Sequence, residues 1–230
     1  MYGQLCWTNQ TLVDYVIGQV QAYLRLPANA RATVVSVSQN DNFAWCQDAA
    51  GKAVAKAEGS PIGPLLRAVN QVADAIKDEF PNVAVDTLAY QYTRPAPKIT
   101  KPRPNVIIRL CSIECDFGVP LTAPSNAPFQ KDMEDWAKVS NRTWIWNYVT
   151  DFANYVMPWP DYYVIHPNIM YFKAHGVSGI FQEGTYSTRG GDMAALKPVE
   201  ILQNTFFRSN ALHCTATARR LIPAECSAVS

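Results

Sequence analysis

Apolar residues recur at the helical period just after Thr8 and Asn9. Leu12, Val13, Val16, Ile17, Val20 and Leu24 would share one face, with a capping residue before them and Pro27 as the stop. Residues 32–38 are instead a short β-branched run, predicting a buried strand that Gln39-Asn40-Asp41-Asn42 breaks. A polar, small-residue loop is expected from there to about Gly59. Ser60 and Pro61 then open a second helix whose stripe is Leu65, Leu66, Val69, Val72, Ala73 and Ile76.

The pattern alternates along the rest of the chain. Residues 83–90 read as a second strand, and 93–104 as a proline-rich connector without helical period. Residues 105–113 read as a third strand, and Phe129, Met133, Trp136 and Ala137 mark a helix. Residues 143–149 form an aromatic-rich fourth strand. Pro167 can open a short helix ending near His175-Gly176, and residues 177–181 read as a fifth strand. Alternating helices and strands argue for a parallel α/β sheet, and strands that are nearly continuous apolar runs argue for cover on both faces. No repeat or inter-domain linker is visible. Beyond about Lys197 the periodicity weakens, so residues 1–196 are expected to form the folded domain and 197–230 a divergent, poorly packed tail.

Each strand except the second ends in acidic or amide residues: Asn40 and Asp41, then Glu114 and Asp116, then Asn147 and Asp151, then Gln182 and Glu183. The second ends in Tyr90, Gln91 and Tyr92. In parallel α/β folds these strand ends face a common crevice where ligands bind. Carboxylates interleaved with Trp144, Trp146, Tyr148, Tyr90 and Phe117 suit sugars, because aromatic faces stack on C–H faces while carboxylates and amides bond hydroxyls. Paired carboxylates also hydrolyse glycosidic bonds, one as acid and one as base or nucleophile. Structural roles compete with this. Asp41 and Asp151 could cap following helices, the Trp-Ile-Trp run could fill the core, and Glu114 could neutralise an arginine. Arg109 lies within a strand, where an unpaired charge is costly, and is expected to pair with one of the strand-end carboxylates.

Composition narrows the classes. The 230 residues are 48% hydrophobic and 17% charged with a net charge of +1, which argues against disorder and against a basic nucleic-acid face. No apolar run reaches the ~20 residues of a membrane span, and the first six residues are not a signal peptide. The expectation is therefore no nucleic-acid and no membrane partner, with the compartment open. No dinucleotide, P-loop, nucleophile-elbow or zinc-protease motif occurs, and His166, His175 and His213 avoid the strand ends. No cofactor and no metal are expected. The six cysteines form neither a disulfide framework nor a zinc ribbon, and read best as buried thiols. Sequons occur at Asn9 and Asn141.

Residues 35–41 (Val-Ser-Val-Ser-Gln-Asn-Asp), 86–93 (Asp-Thr-Leu-Ala-Tyr-Gln-Tyr-Thr) and 109–115 (Arg-Leu-Cys-Ser-Ile-Glu-Cys) closely resemble a glycosidase-like family, domain of unknown function 4838. Residues 4–9, 58–61 and 179–184 fit it too. The family is found mostly in bacterial carbohydrate-related proteins. The resemblance implies a (β/α)8 barrel akin to α-glucuronidases and β-hexosaminidases, of which the five strands here would be strands four to eight. Such a partial barrel would leave open edges able to self-associate. Many family members carry extra cysteines after the Asn-Asp word. Only Cys46 stands there in this chain, which speaks against a metal or disulfide role. Carried over, the resemblance suggests Asp41 as acid, Glu114 as its partner and Glu183 as a further catalytic candidate. Asn40, Tyr90, Trp146 and Asn147 would bind an oligosaccharide or glycoside, with Asp116 and Asp151 as substrate contacts or alternates. The runner-up expectation is a non-catalytic, sugar-binding remnant. A metal-dependent lyase or deacetylase is disfavoured by the absence of histidine at the strand ends.

Overall fold

The computed structural model describes residues 3–154, 157 and 159–184 and the backbone of 213–214. It is an α/β fold whose strands alternate with helices, in the order α1 (Gln10–Arg25), β1 (Val34–Ser36), α2 (Ala49–Glu58), α3 (Ile62–Ile76), β2 (Ala84–Ala89), β3 (Val106–Cys111), α4 (Ala127–Val139), β4 (Thr143–Tyr148), α5 (Ile165–Ala174), β5 (Val177–Glu183) and β6 (His213–Cys214). The chain clusters into two compact units. The first comprises Met1–Cys111 and Asp132–Thr143, and the second Ser112–Lys131 and the residues from Trp144 onward.

In the first unit β1, β2 and β3 pair in parallel, with Ser36 opposite Asp86 and Leu88 opposite Arg109. Parallel neighbours need a crossover, and α2 and α3 supply it between β1 and β2. Helix α3 buries Ile62, Leu65, Leu66, Val69, Val72, Ala73 and Ile76 almost completely. Each large side chain among them contributes roughly 2 kcal/mol by leaving water. On β2 and β3 both faces are covered, so Val85, Ile107, Ile108 and Leu110 are fully buried.

Between β2 and β3 the chain crosses without an α-helix, through a 3-10 turn at Gln91–Thr93 and along the proline-rich connector. Prolines donate no hydrogen bond, so the connector's remaining polar groups need outside partners. Helix α2 ends in Glu58, whose carboxylate is fully buried. Its Oε2 accepts from the backbone N–H groups of Ile99 and Thr100, each at 2.9 Å, and its Oε1 accepts from Thr100 Oγ1 and from Arg67 at 2.7 Å. On α3, the Asn70 amide donates to Lys101 O and accepts from Arg103 N. Two polar side chains thus hold an irregular segment against two helices.

In the second unit β4 and β5 lie side by side, and Val149 N donates to Glu183 O at 3.0 Å. Gly179 of β5 sits under the Trp144 ring, where a Cβ would come within 2.7 Å of the indole. Buried Asn126 orders the loop after β3 by bonding Asp116 N, Asp116 O and Pro120 O. The backbones of Gly179 and Ile180 pair in parallel with His213 and Cys214. Apart from that pair, the tail from Lys197 lies outside the described residues.

Three expectations need correction here. The loop between β1 and α3 contains α2, an alanine-rich helix capped by Asp48 and ended by Gly59 at φ 67°. Alanine forms helices without a large apolar stripe, so periodicity could not reveal it. Arg109 pairs with Asp86, in mid-strand, at 2.6 Å, a partner the strand-end reading did not name. Cys6 and Cys46 are joined in a disulfide with a Cα–Cα distance of 5.1 Å, although the cysteines read as buried thiols and the lone Cys46 spoke against a disulfide role. Of the other cysteines, Cys111 is buried and Cys115 half-buried.

Candidate functional site

The strand ends gather polar groups in each unit. In the first, Asn40 and Asp41 follow β1 and Tyr90 follows β2. The Tyr90 hydroxyl donates to Asp41 Oδ1 at 3.1 Å and accepts from Gln91 Nε2 at 2.9 Å. Gln91 has φ 52°, the one non-glycine positive φ among the described residues. That left-handed backbone costs about 1–3 kcal/mol, and such strain gathers at functional sites. Thr93 closes the turn, its Oγ1 accepting from Tyr90 N, and its single hydroxyl proton is shared between Tyr90 O and Gln39 Oε1. Gln39 is 8% exposed, and its Nε2 is buried with no partner. The Oε1 of Gln91 is likewise buried and unpartnered. An exposed carboxylate is therefore held by a phenol, with two amide groups of unused capacity joined to it through Tyr90 and Thr93.

The Asp41 loop has a second support, a strap formed by the N-terminal segment. The Gln4 side chain donates to Asn40 O at 2.6 Å and Asn42 O at 2.7 Å, and accepts from Asn40 N at 2.8 Å. Asn40 Nδ2 donates to Gly3 O, so its amide is engaged in the strap. The Cys6–Cys46 disulfide and a 2.8 Å hydrogen bond from Thr8 Oγ1 to Asp48 complete it. Asp41 does not cap α2, because Asp48 does. Beside the strap an open hollow of about 380 Å³ is lined by Trp7, Trp45, Tyr92, Pro61 and Pro64. Trp45 and Tyr92 stack there at 6.4 Å, and burial pushes the Tyr92 phenol up to about 12.

In the second unit Trp146 Nε1 donates to Glu183, and the indole lies 4.3 Å from the Phe181 ring centroid. Trp144 and Trp146 are half-buried while Ile145 is fully buried, so the Trp-Ile-Trp run is not simply core filling. Buried Asn147 accepts from Ser112 Oγ at 2.7 Å and donates to Gln182 Oε1 at 2.9 Å, which leaves Gln182 Nε2 buried without a partner. Asp116 and Asp151 accept from backbone N–H groups of their own loops, Gly118 N and Ala153 N. Glu114 is exposed on the loop after β3.

Within its unit, then, each group joins part of the expected set. Asp41 meets Tyr90, and Glu183 meets Trp146. Sequence reasoning missed Gln4, Gln39 and Thr93, because amides and hydroxyls inside a turn carry no spacing signal. Deeper in β2, burial raises the Asp86 carboxyl above the usual range against the pull of Arg109 and Ser36. Among the described residues one group, Cys6, Cys46 and Asp48, lies close enough to hold a metal ion. Its sulfurs are joined to each other, and a disulfide offers no thiolate ligand. Among the same residues no helix is long and apolar enough to cross a membrane.

Comparison with known families places residues 1–205 under a family model described as Domain of unknown function (DUF4838). No curated protein matches the chain.

Proposed function

Since the chain belongs to the DUF4838 family, whose description assigns no activity, we propose that it is a glycoside hydrolase-like domain of (β/α)8-barrel type. Its chemistry rests on carboxylates at the C-terminal strand ends. The observation that carries this reading is the oriented Asp41 carboxylate, exposed to solvent, fixed by the Tyr90 phenol and backed by the strained Gln91. A general acid must be accessible and held in one direction, and this arrangement supplies both. Trp146 and Phe181 beside Glu183 support it, since a second carboxylate among aromatic rings suits a sugar-facing group.

The acid role falls to Asp41, and Glu183 and Glu114 are the candidates for the second carboxyl. The test is release of sugar from aryl glycosides by the purified chain and by Asp41→Asn, Glu183→Gln and Glu114→Gln. Loss of about 10²-fold or more in Asp41→Asn and in one glutamate variant, with folding intact, is the expected result. Binding without turnover in the unaltered protein would identify a sugar-binding domain instead. Turnover indifferent to Asp41→Asn would remove the proposed acid.

A further inference from the structure

We propose that the hollow lined by Trp7, Trp45 and Tyr92 is a subsite for one pyranose ring, and that the substrate is therefore a chain of two or more sugar units rather than a single glycosylated one. The proposal rests on the hydrolase reading of Asp41 and extends it. Its first support is position. The hollow and the Asp41 carboxylate lie in the same compact unit, and the same segments build both. Gln4 lines the hollow, and its side chain holds the backbone of Asn40 and Asn42 on either side of Asp41. Tyr92 lines it too. It stands in the 3-10 turn directly after Tyr90, the residue whose hydroxyl bonds Asp41. A group seated in the hollow is thus a neighbour of a group seated at Asp41.

The second support is the chemistry of the lining. Trp7, Trp45 and Tyr92 are all half-buried, and the Trp45 and Tyr92 rings lie nearly parallel at 27°. Each has an apolar body and a polar tip. The two indole N–H groups and the Tyr92 hydroxyl have no hydrogen-bond partner among the described residues, and none of the three is sealed from solvent. Burial alone pushes the Tyr92 phenol up to about 12, so it stays protonated and able to donate. These tips favour a sugar over a purely apolar guest, which would cover them without bonding them. A pyranose offers C–H faces to the rings and hydroxyls to the tips. The carboxylate in the lining, Asp48, is engaged by Thr8 Oγ1 at 2.8 Å and by Gly51 N at 3.2 Å as the cap of α2. A volume of about 380 Å³ lies at the lower end of the ~300–1,000 Å³ range of ligand sites, which suits one ring rather than several.

The test titrates the full chain with β-1,4-linked oligosaccharides of glucose, N-acetylglucosamine and xylose, from one unit to four. Binding is read by calorimetry and tryptophan fluorescence, and turnover by released sugar. Affinity should rise at least ~10-fold from one unit to two or three and then level off. Trp45→Leu should remove most of that gain. Tyr92→Phe deletes only the hydroxyl, so it should keep Tm while reducing the gain roughly 3- to 10-fold. Equal affinity for one unit and four, or a gain untouched by both substitutions, overturns the subsite and leaves the hydrolase reading to stand on turnover. A length-dependent gain without turnover keeps the sugar in the hollow and removes the acid role of Asp41. Tetramethylammonium bound more tightly than any of the sugars overturns the subsite and makes the hollow a cation cage. A folded protein that binds none of these sugars overturns the hydrolase reading and the subsite together.

Discussion

Replacing Glu58 by glutamine should remove a stabilisation that depends on pH in a defined window. Burial alone would push this carboxyl up. Hydrogen bonds from the Thr100 side chain and backbone, from Arg67 and from Ile99 N outweigh it and hold the group at about 2, against an ordinary value of 4.5. The folded protein thus binds a proton here less readily than the unfolded chain does. The stabilisation is present in full above about pH 4.5 and is lost as the pH falls toward 2. At ~1.4 kcal/mol per tenfold in proton affinity, the difference is worth about 3 kcal/mol. Arg67 is 43% exposed, so water screens its share, and about 2 kcal/mol is the working figure. Glutamine keeps the shape, but its NH2 must face either the two backbone N–H groups or the Arg67 guanidinium, donors from which it cannot accept. Urea unfolding of both proteins, followed by tryptophan fluorescence, should show Glu58→Gln ~2 kcal/mol less stable at pH 7 and the gap closing toward pH 2. The difference between the two proteins cancels titration of the other carboxylates. A gap that stays constant from pH 7 to pH 2 would refute the reasoning.

Other outcomes follow from the packing. Removing the disulfide with Cys6→Ala and Cys46→Ala frees a 40-residue separation and should cost roughly 3–4 kcal/mol by the loop-closure estimate, measured as a lower urea midpoint. Asp86→Asn removes the negative charge of the Asp86–Arg109 pair at a largely buried site and should cost about 3 kcal/mol, with Asp86→Leu plus Arg109→Met recovering much of it in a double-mutant cycle. Gly179→Ala forces a Cβ against the Trp144 indole and should cost about 1–3 kcal/mol, a loss that Trp144→Leu in the same chain relieves.

The elements with strong periodicity were legible. Helix α3 was readable from its leucine and valine stripe, and β2 and β3 from their unbroken apolar runs, because those patterns are the burial requirement itself. Helix α2 was not, since alanine marks no face, and Asp48 and Gly59 become caps only once the helix between them is supposed. The Arg109 partner was sought at strand ends, where acidic residues are conspicuous. Asp86 pairs with it because parallel register sets β2 and β3 side chains beside one another far along the sequence. Of the candidate site, the pairing of Asp41 with Tyr90 and of Glu183 with Trp146 lay in residues already singled out. The supporting amides and hydroxyl did not, for their roles depend on one left-handed residue, Gln91, that no sequence rule demands.

The strap from Gly3 to Thr8 makes handling of the protein part of its chemistry. Gln4 and Cys6 reach the Asp41 loop from the first few residues of the chain. Thiol reductants act on the same place, since dithiothreitol in a storage buffer would open the Cys6–Cys46 link and leave the loop to hydrogen bonds alone. Activity screens gain from parallel runs with and without reductant, so that an inactive preparation is not taken for an inactive protein.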